Sequence, residues 1–145
     1  MKTQKITLLF VLSLILFAGC RYEEGPKITF RSVKARLEGK WAIEAVSKND
    51  KDETDNYKNA LVNYELDIQK NGNYDLKYRP LNIGNYTEDG VWVLSDDKKV
   101  ITFTQNKGAN PGAKSAWTIM RLTNSEFWAQ YTDGNGDKIY VKLKP

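Results

Sequence analysis

The chain has no histidine among its 145 residues. That removes Ser-His-Asp and Cys-His catalysis, and every zinc site built on imidazole. Cys20 is the only cysteine, so no intrachain disulfide can form. No apolar run is long enough to cross a bilayer. The longest, Ile6 to Phe17, has about 12 residues where a spanning helix needs about 20. A long basic run is also missing. The formal net charge is +4, and Lys2 and Lys5 of that total precede the apolar run, so nucleic-acid binding has little support. A carboxylate pair of the glycosidase kind is the remaining route to catalysis. The acidic residues are scattered through turns, which argues against it. The chain reads as a non-enzyme with no cofactor and no metal.

What is present begins with the first twenty residues. Lys2 and Lys5, the run Ile6 to Phe17, then Ala18 and Gly19 have the charged, apolar, small-residue order of a bacterial export signal. Cys20 follows the small pair directly, and the arrangement resembles a lipoprotein signal. The resemblance implies that the Cys20 sulfur receives a diacylglyceryl group and becomes the mature N-terminus. The pattern of such signals has Leu or a similar aliphatic three residues before Cys; here Phe17 stands there and Leu16 one step earlier. Several acyl chains on one terminus anchor stably, at about 0.8 kcal/mol per buried methylene. Residues 1–19 are thus expected to be the signal and residues 20–31 a lipidated tether. The expected place is the cell envelope, as an outer-membrane lipoprotein; Glu23-Glu24 resembles the acidic tag after the lipidated Cys of Bacteroidetes surface lipoproteins, which implies surface exposure, and a solvated tether is the other reading.

Residues 32–145 are long enough for one domain and too short for two. At 28% charged and 41% hydrophobic residues over the full 145, the composition suits a globular fold. Thr29 to Leu37 reads as one or two helical turns with Phe30, Val33 and Leu37 on one side. After that the period is two. Trp41, Ile43 and Ala45 alternate with Lys40, Ala42 and Glu44, and Val62, Tyr64, Leu66 and Ile68 alternate with Asn63, Glu65 and Asp67. Asn71-Gly72 is a hairpin signal, because both residues accept positive φ. Tyr74, Leu76 and Tyr78 return from it and Pro80 stops the strand. Gly90 to Leu94, Val100 to Thr104, Ala116 to Leu122, Phe127 to Thr132 and Ile139 to Leu143 complete eight strands. Asn49 to Asn59 reads as a polar loop.

Eight strands in hairpin order, with no crossover helix, predict an all-β antiparallel sheet. An eight-stranded meander leaves two edges exposed unless it closes, so an up-and-down barrel is expected. The connections after strands one, three and five read as long, roughly seven to eleven residues against a usual 2–5. In such a barrel they share one mouth, the natural place for a binding site.

Gly39-Lys40-Trp41 after a helical turn resembles the Gly-x-Trp motif that opens the first strand of lipocalins. The tract Gly90 to Asp97 followed by Ile101 and Phe103, then Leu122-Thr123 and Tyr131-Thr132-Asp133, is similar to the small lipocalin-like domains of Bacteroidetes lipoproteins. The resemblance covers about Ser32 to Lys144 and implies a lipocalin-like barrel in which Trp41 plugs the closed end. The C-terminal helix of full-size lipocalins is absent, so a barrel filled by its own side chains is also open.

Candidate ligand contacts are Arg121, Trp117 and Tyr78. Arg121 shares strand parity with Trp117 and would approach the mouth; a bulge near Leu122 would place it on the surface instead. Phe127 and Trp128 cannot both face inward. Asp133-Gly134-Asn135-Gly136-Asp137 resembles the start of a calcium loop, but Lys144 stands where a closing Glu is required, so a hairpin turn is expected. Asp50, Asp52, Glu53 and Asp55 lie among lysines and read as a solvated loop. Two functions fit: a membrane-tethered carrier of a small apolar or amphipathic ligand, or a solid barrel that binds a protein or glycan through its surface.

Overall fold

The computed structural model describes Tyr22 and residues 30–145. The expected signal over residues 1–19, Cys20 and most of the tether lie outside the described residues. Helix α1 (Val33–Leu37) is capped by the Ser32 hydroxyl, which accepts from the Ala35 amide at 3.1 Å, a usual N-cap role for serine. The strands follow: β1 (Gly39–Lys48), β2 (Lys51–Asp52), then helix α2 (Thr54–Ala60), β3 (Leu61–Ile68), β4 (Asn73–Pro80), β5 (Tyr86–Leu94), β6 (Val100–Lys107), β7 (Lys114–Leu122), β8 (Phe127–Thr132) and β9 (Lys138–Lys144). All pairings are antiparallel between sequence neighbours, apart from β1, which pairs both β3 and β9. The β1–β9 pairing closes β1 and β3 to β9 into an eight-stranded antiparallel barrel. Closure leaves no long open edge.

Two expectations about connections are corrected. The segment Asn49 to Asn59 is not a plain loop. Asn49 and Asp50 both take positive φ, 50° and 65°, which turns the chain tightly back so that Lys51 pairs with Lys48. Helix α2 then packs on β1 and β3, with Tyr57 against the core. Asp55 in its first turn and Lys58 in its last complement the helix dipole. The connections after the third and fifth barrel strands are also shorter than expected, at residues 81–85 and 108–113, because β4, β5, β6 and β7 extend through polar residues that carry no apolar alternation. The contrast between a ragged and a tight end therefore lies mainly in the α2 segment. The Asn71-Gly72 turn differs too: only Gly72 is at positive φ, 90°, and its amide closes the turn onto the Gln69 carbonyl.

Bulges set which residues face in. In β1 the register shifts between Ile43 and Ala45, so Val46 takes the inward place that period two assigned to Ala45; Val46 is buried and Ala45 is not. In β7 a shift between Ile119 and Arg121 turns Leu122 inward. One continuous core results, with Leu37, Ile101, Leu122, Phe127, Ala129 and Leu143 fully buried.

Candidate functional site

The barrel has two unlike ends. At one, α1 and the turns at 69–72, 95–99 and 123–126 close the interior. Trp41 is 2% exposed there. Its ring meets Phe127 edge-on at 5.7 Å and its indole N–H donates to the Leu37 carbonyl at 2.8 Å. Gly39 precedes it at φ 141°. Tyr22 crosses the same end, and its hydroxyl donates to the Lys98 carbonyl.

The other end carries α2 and the connections at 81–85, 108–113 and 133–137. Inside it lies a group of polar side chains that the strand pattern had hidden. Trp92, Gly90, Glu88 and Tyr86 share the inward parity of β5, so a carboxylate points into the barrel. Tyr74 of β4 donates to Glu88 Oε1 at 2.6 Å. Tyr86 donates to Oε2 at 3.0 Å, and Gln105 Nε2 of β6 donates to the same oxygen at 2.7 Å. Gln105 and Tyr74 are buried, at 6% and 2% exposure. The cluster also pins the 108–113 connection: the Asn110 amide donates to Gln105 Oε1 at 2.7 Å and the Ala109 amide to the Tyr86 hydroxyl at 3.3 Å. Gly90 leaves room for the Tyr74 ring, since a Cβ there would meet that ring and the Thr104 carbonyl.

Around this cluster is a cavity of about 230 Å³ lined by Tyr74, Tyr86, Glu88, Phe103, Gln105 and the rim residues 109, 110 and 113–115. Its surroundings are aromatic. Tyr78 packs on Tyr86 with ring centroids 4.6 Å apart, and Phe103 meets Tyr74 at 5.0 Å and Trp117 at 5.3 Å. Trp117 stacks on Tyr131 at 4.7 Å. Burial pushes the phenols of Tyr64, Tyr74 and Tyr131 well above their ordinary range, and for Tyr74 the bond to Glu88 adds to it. These hydroxyls stay neutral hydrogen-bonding groups at physiological pH.

Of the expected contacts, Tyr78 and Trp117 face the interior on this side. Arg121 does not. The β7 bulge puts it on the outer face, where it bonds Glu126 at 2.8 Å and lies 5.1 Å from the Trp128 ring. Trp128 is the outward member of its pair with Phe127, and Lys142 sits over its other neighbourhood at 4.1 Å. Glu88 and Tyr86 went unread because the tract Tyr86-Thr87-Glu88-Asp89 has no apolar alternation, although counting back by twos from Trp92 reaches both; Gln105 follows Ile101 and Phe103 by twos on β6. The Asp133 to Asp137 segment is a turn. Asp133 Oδ1 accepts from the Asn135 and Asp137 amides, and Lys48 bridges to Asp137 at 2.6 Å. Among the described residues no acidic or cysteine group could hold a metal.

No family model matches the sequence, and no curated protein matches it. Solved structures match in fold. A lipocalin-like protein from Bacteroides uniformis superposes with a TM-score of 0.55 at 16% identity, over 75% of this chain and 97% of that one. An uncharacterized protein from Bacteroides eggerthii does so with a TM-score of 0.52 at 17% identity, over 74% and 98%. Together with the closed eight-stranded sheet, these likenesses make the fold of this chain lipocalin-like, as that of the Bacteroides uniformis protein is described.

Proposed function

We propose that the chain is a membrane-tethered, non-enzymatic binding protein of the cell envelope that holds one end of a small amphipathic molecule at the open mouth of its barrel. The observation that carries this reading is the mouth cavity, where hydrogen-bonding side chains and aromatic rings converge above a filled core. About 230 Å³ is below the roughly 300–1,000 Å³ of sites that enclose a drug-sized ligand. Such a space suits the end of a molecule whose remainder extends past the rim, where Leu81 and Ile83 are exposed. The tether rests on the charged, apolar and small-residue order before Cys20.

Native mass spectrometry of the full chain, isolated from membranes, tests both parts. A copurified small molecule that is lost in Tyr78→Ala supports the carrier. A lipid-sized mass on the chain that disappears in Cys20→Ser supports the tether. A second reading is favoured by the filled core and by the outer face, where Trp128 lies between Arg121 and Lys142 and Val93 is 64% exposed. On that reading the barrel binds a protein or glycan from outside, and the isolated chain carries no small molecule.

A further inference from the structure

Glu88 is a carboxylate inside an aromatic-lined cavity, and among the described residues it forms no ion pair. Its protein partners are the Tyr74 hydroxyl, the Tyr86 hydroxyl and the Gln105 amide, all neutral donors. Those three groups donate to Glu88, and the second Gln105 N–H donates to the Tyr86 hydroxyl at 3.2 Å, so what they leave toward the cavity is acceptor capacity and negative charge. The amides of Ala109 and Asn110 at the rim are already engaged by Tyr86 and Gln105. A carboxylate accepts about four hydrogen bonds and three are made here. An apolar ligand seated on it would strip its remaining water without compensation, which is costly. An anion would be repelled. A cation with N–H donors supplies both the charge and the missing bond, and the rings of Tyr74, Tyr86 and Phe103 line the same space for its apolar part.

We infer that the mouth binds a small organic amine, its ammonium on Glu88 and its apolar part among the aromatic rings. This rests on the mouth being a binding site, and it names the class of ligand. Lys114, which lines the same cavity from the exposed rim, is the protein's own competing charge.

The test uses the purified full chain and three probes of similar shape: phenethylamine, 2-phenylethanol and 3-phenylpropanoate. Binding is read by calorimetry and by the NMR shift of the Trp117 indole. Phenethylamine is expected to bind at least tenfold more tightly than the alcohol, and the carboxylate not to bind. Glu88→Gln should erase the preference for the amine. Lys114→Glu, at an exposed position, should tighten the amine about threefold or more at low salt, which keeps the inference open to refutation if Glu88→Gln does not fold. Equal binding of amine and alcohol at the Trp117 indole overturns the amine assignment and leaves the mouth as a site. Absence of binding by all three, or binding that never shifts Trp117, overturns the mouth as well.

Discussion

The two ends of the barrel are built from similar residues and use them differently. At the closed end, aromatic and cationic side chains bond to backbone carbonyls: Trp41 to Leu37, Arg36 to Leu122 and Tyr22 to Lys98. Those partners are fixed by the fold. At the open end, Tyr74, Tyr86 and Gln105 bond to another side chain, Glu88. Side-chain partners can be exchanged when a ligand arrives; backbone carbonyls held in helix α1, the 95–99 turn and strand β7 cannot. The lesson is a division of labour in which one end holds the barrel together and the other keeps polar groups available.

The sharpest way to break this comparison is at the closed end. Trp41→Ala removes a fully packed indole that spans α1 and Phe127. It should cost about 3–5 kcal/mol in urea unfolding and leave ligand preference unchanged where the protein remains folded. A loss below about 1 kcal/mol would show that this end is not the stabilising one. Gly90→Ala comes next. Its Cβ meets the Thr104 carbonyl and the Tyr74 ring, so the strand or the ring must move. The expected cost is about 1–3 kcal/mol. Unlike the closed-end change, it should also disturb the mouth, visible as altered tyrosine fluorescence and weakened ligand binding.

Much of the barrel was legible in the sequence because half-buried strands print a period of two. Leu66 to Ile68, Tyr74 to Tyr78 and Ile139 to Leu143 keep the faces that alternation assigns, whereas a register shift between Val62 and Glu65 breaks it at the start of β3. Bulges print nothing. The extra residue at Glu44 transfers the inward place to Val46, and the one at Met120 turns Arg121 out. Period two fails at those positions because a bulge opposes two residues to one. The site was the least legible part. Glu88 sits on a strand although Asp and Glu are depleted in strands, and two of its three partners, Tyr74 and Gln105, come from β4 and β6, which only the folded sheet brings together. Helix α2 was hidden for a related reason: none of its residues is fully buried, so it lacks an apolar stripe.

A finer cut separates the polar cluster from the ring walls. Tyr74→Phe keeps the ring against Phe103 and deletes only the donor to Glu88 Oε1. A hydrogen bond to a charged group is worth about 1.5–3 kcal/mol, and Glu88 is only half-buried, so a loss near the lower figure is expected in thermal unfolding. Amine binding should persist, because the charge of Glu88 remains. If Tyr74→Phe erased the preference for the amine as completely as Glu88→Gln, the hydroxyl rather than the carboxylate would be the recognising group.

The smallest effect belongs to the rim, where Lys48 reaches Asp137 at 2.6 Å and Asp133 at 3.7 Å, and Asn49 donates to Asp137 Oδ1 at 2.7 Å. These bonds join β1 to the β8–β9 turn beside the mouth without entering it. The Lys48 hydrogen bond, followed by that of Asn49, holds the Asp137 carboxyl below its ordinary range, and Asp137 in turn raises Lys48. For a carboxyl with a lowered folded value, the stabilisation is complete above the unfolded value of about 3.9 and disappears as pH falls through the folded one. Asp137→Asn should therefore lower the melting temperature slightly at pH 7 in low salt. Added salt should shrink the difference, since both groups face solvent, and at a pH below the folded value the two proteins should melt together. Ligand affinity should stay level throughout. A parallel loss of affinity would extend the site from the interior cluster to the rim and blur the boundary between the part of this end that binds and the part that only closes the turn.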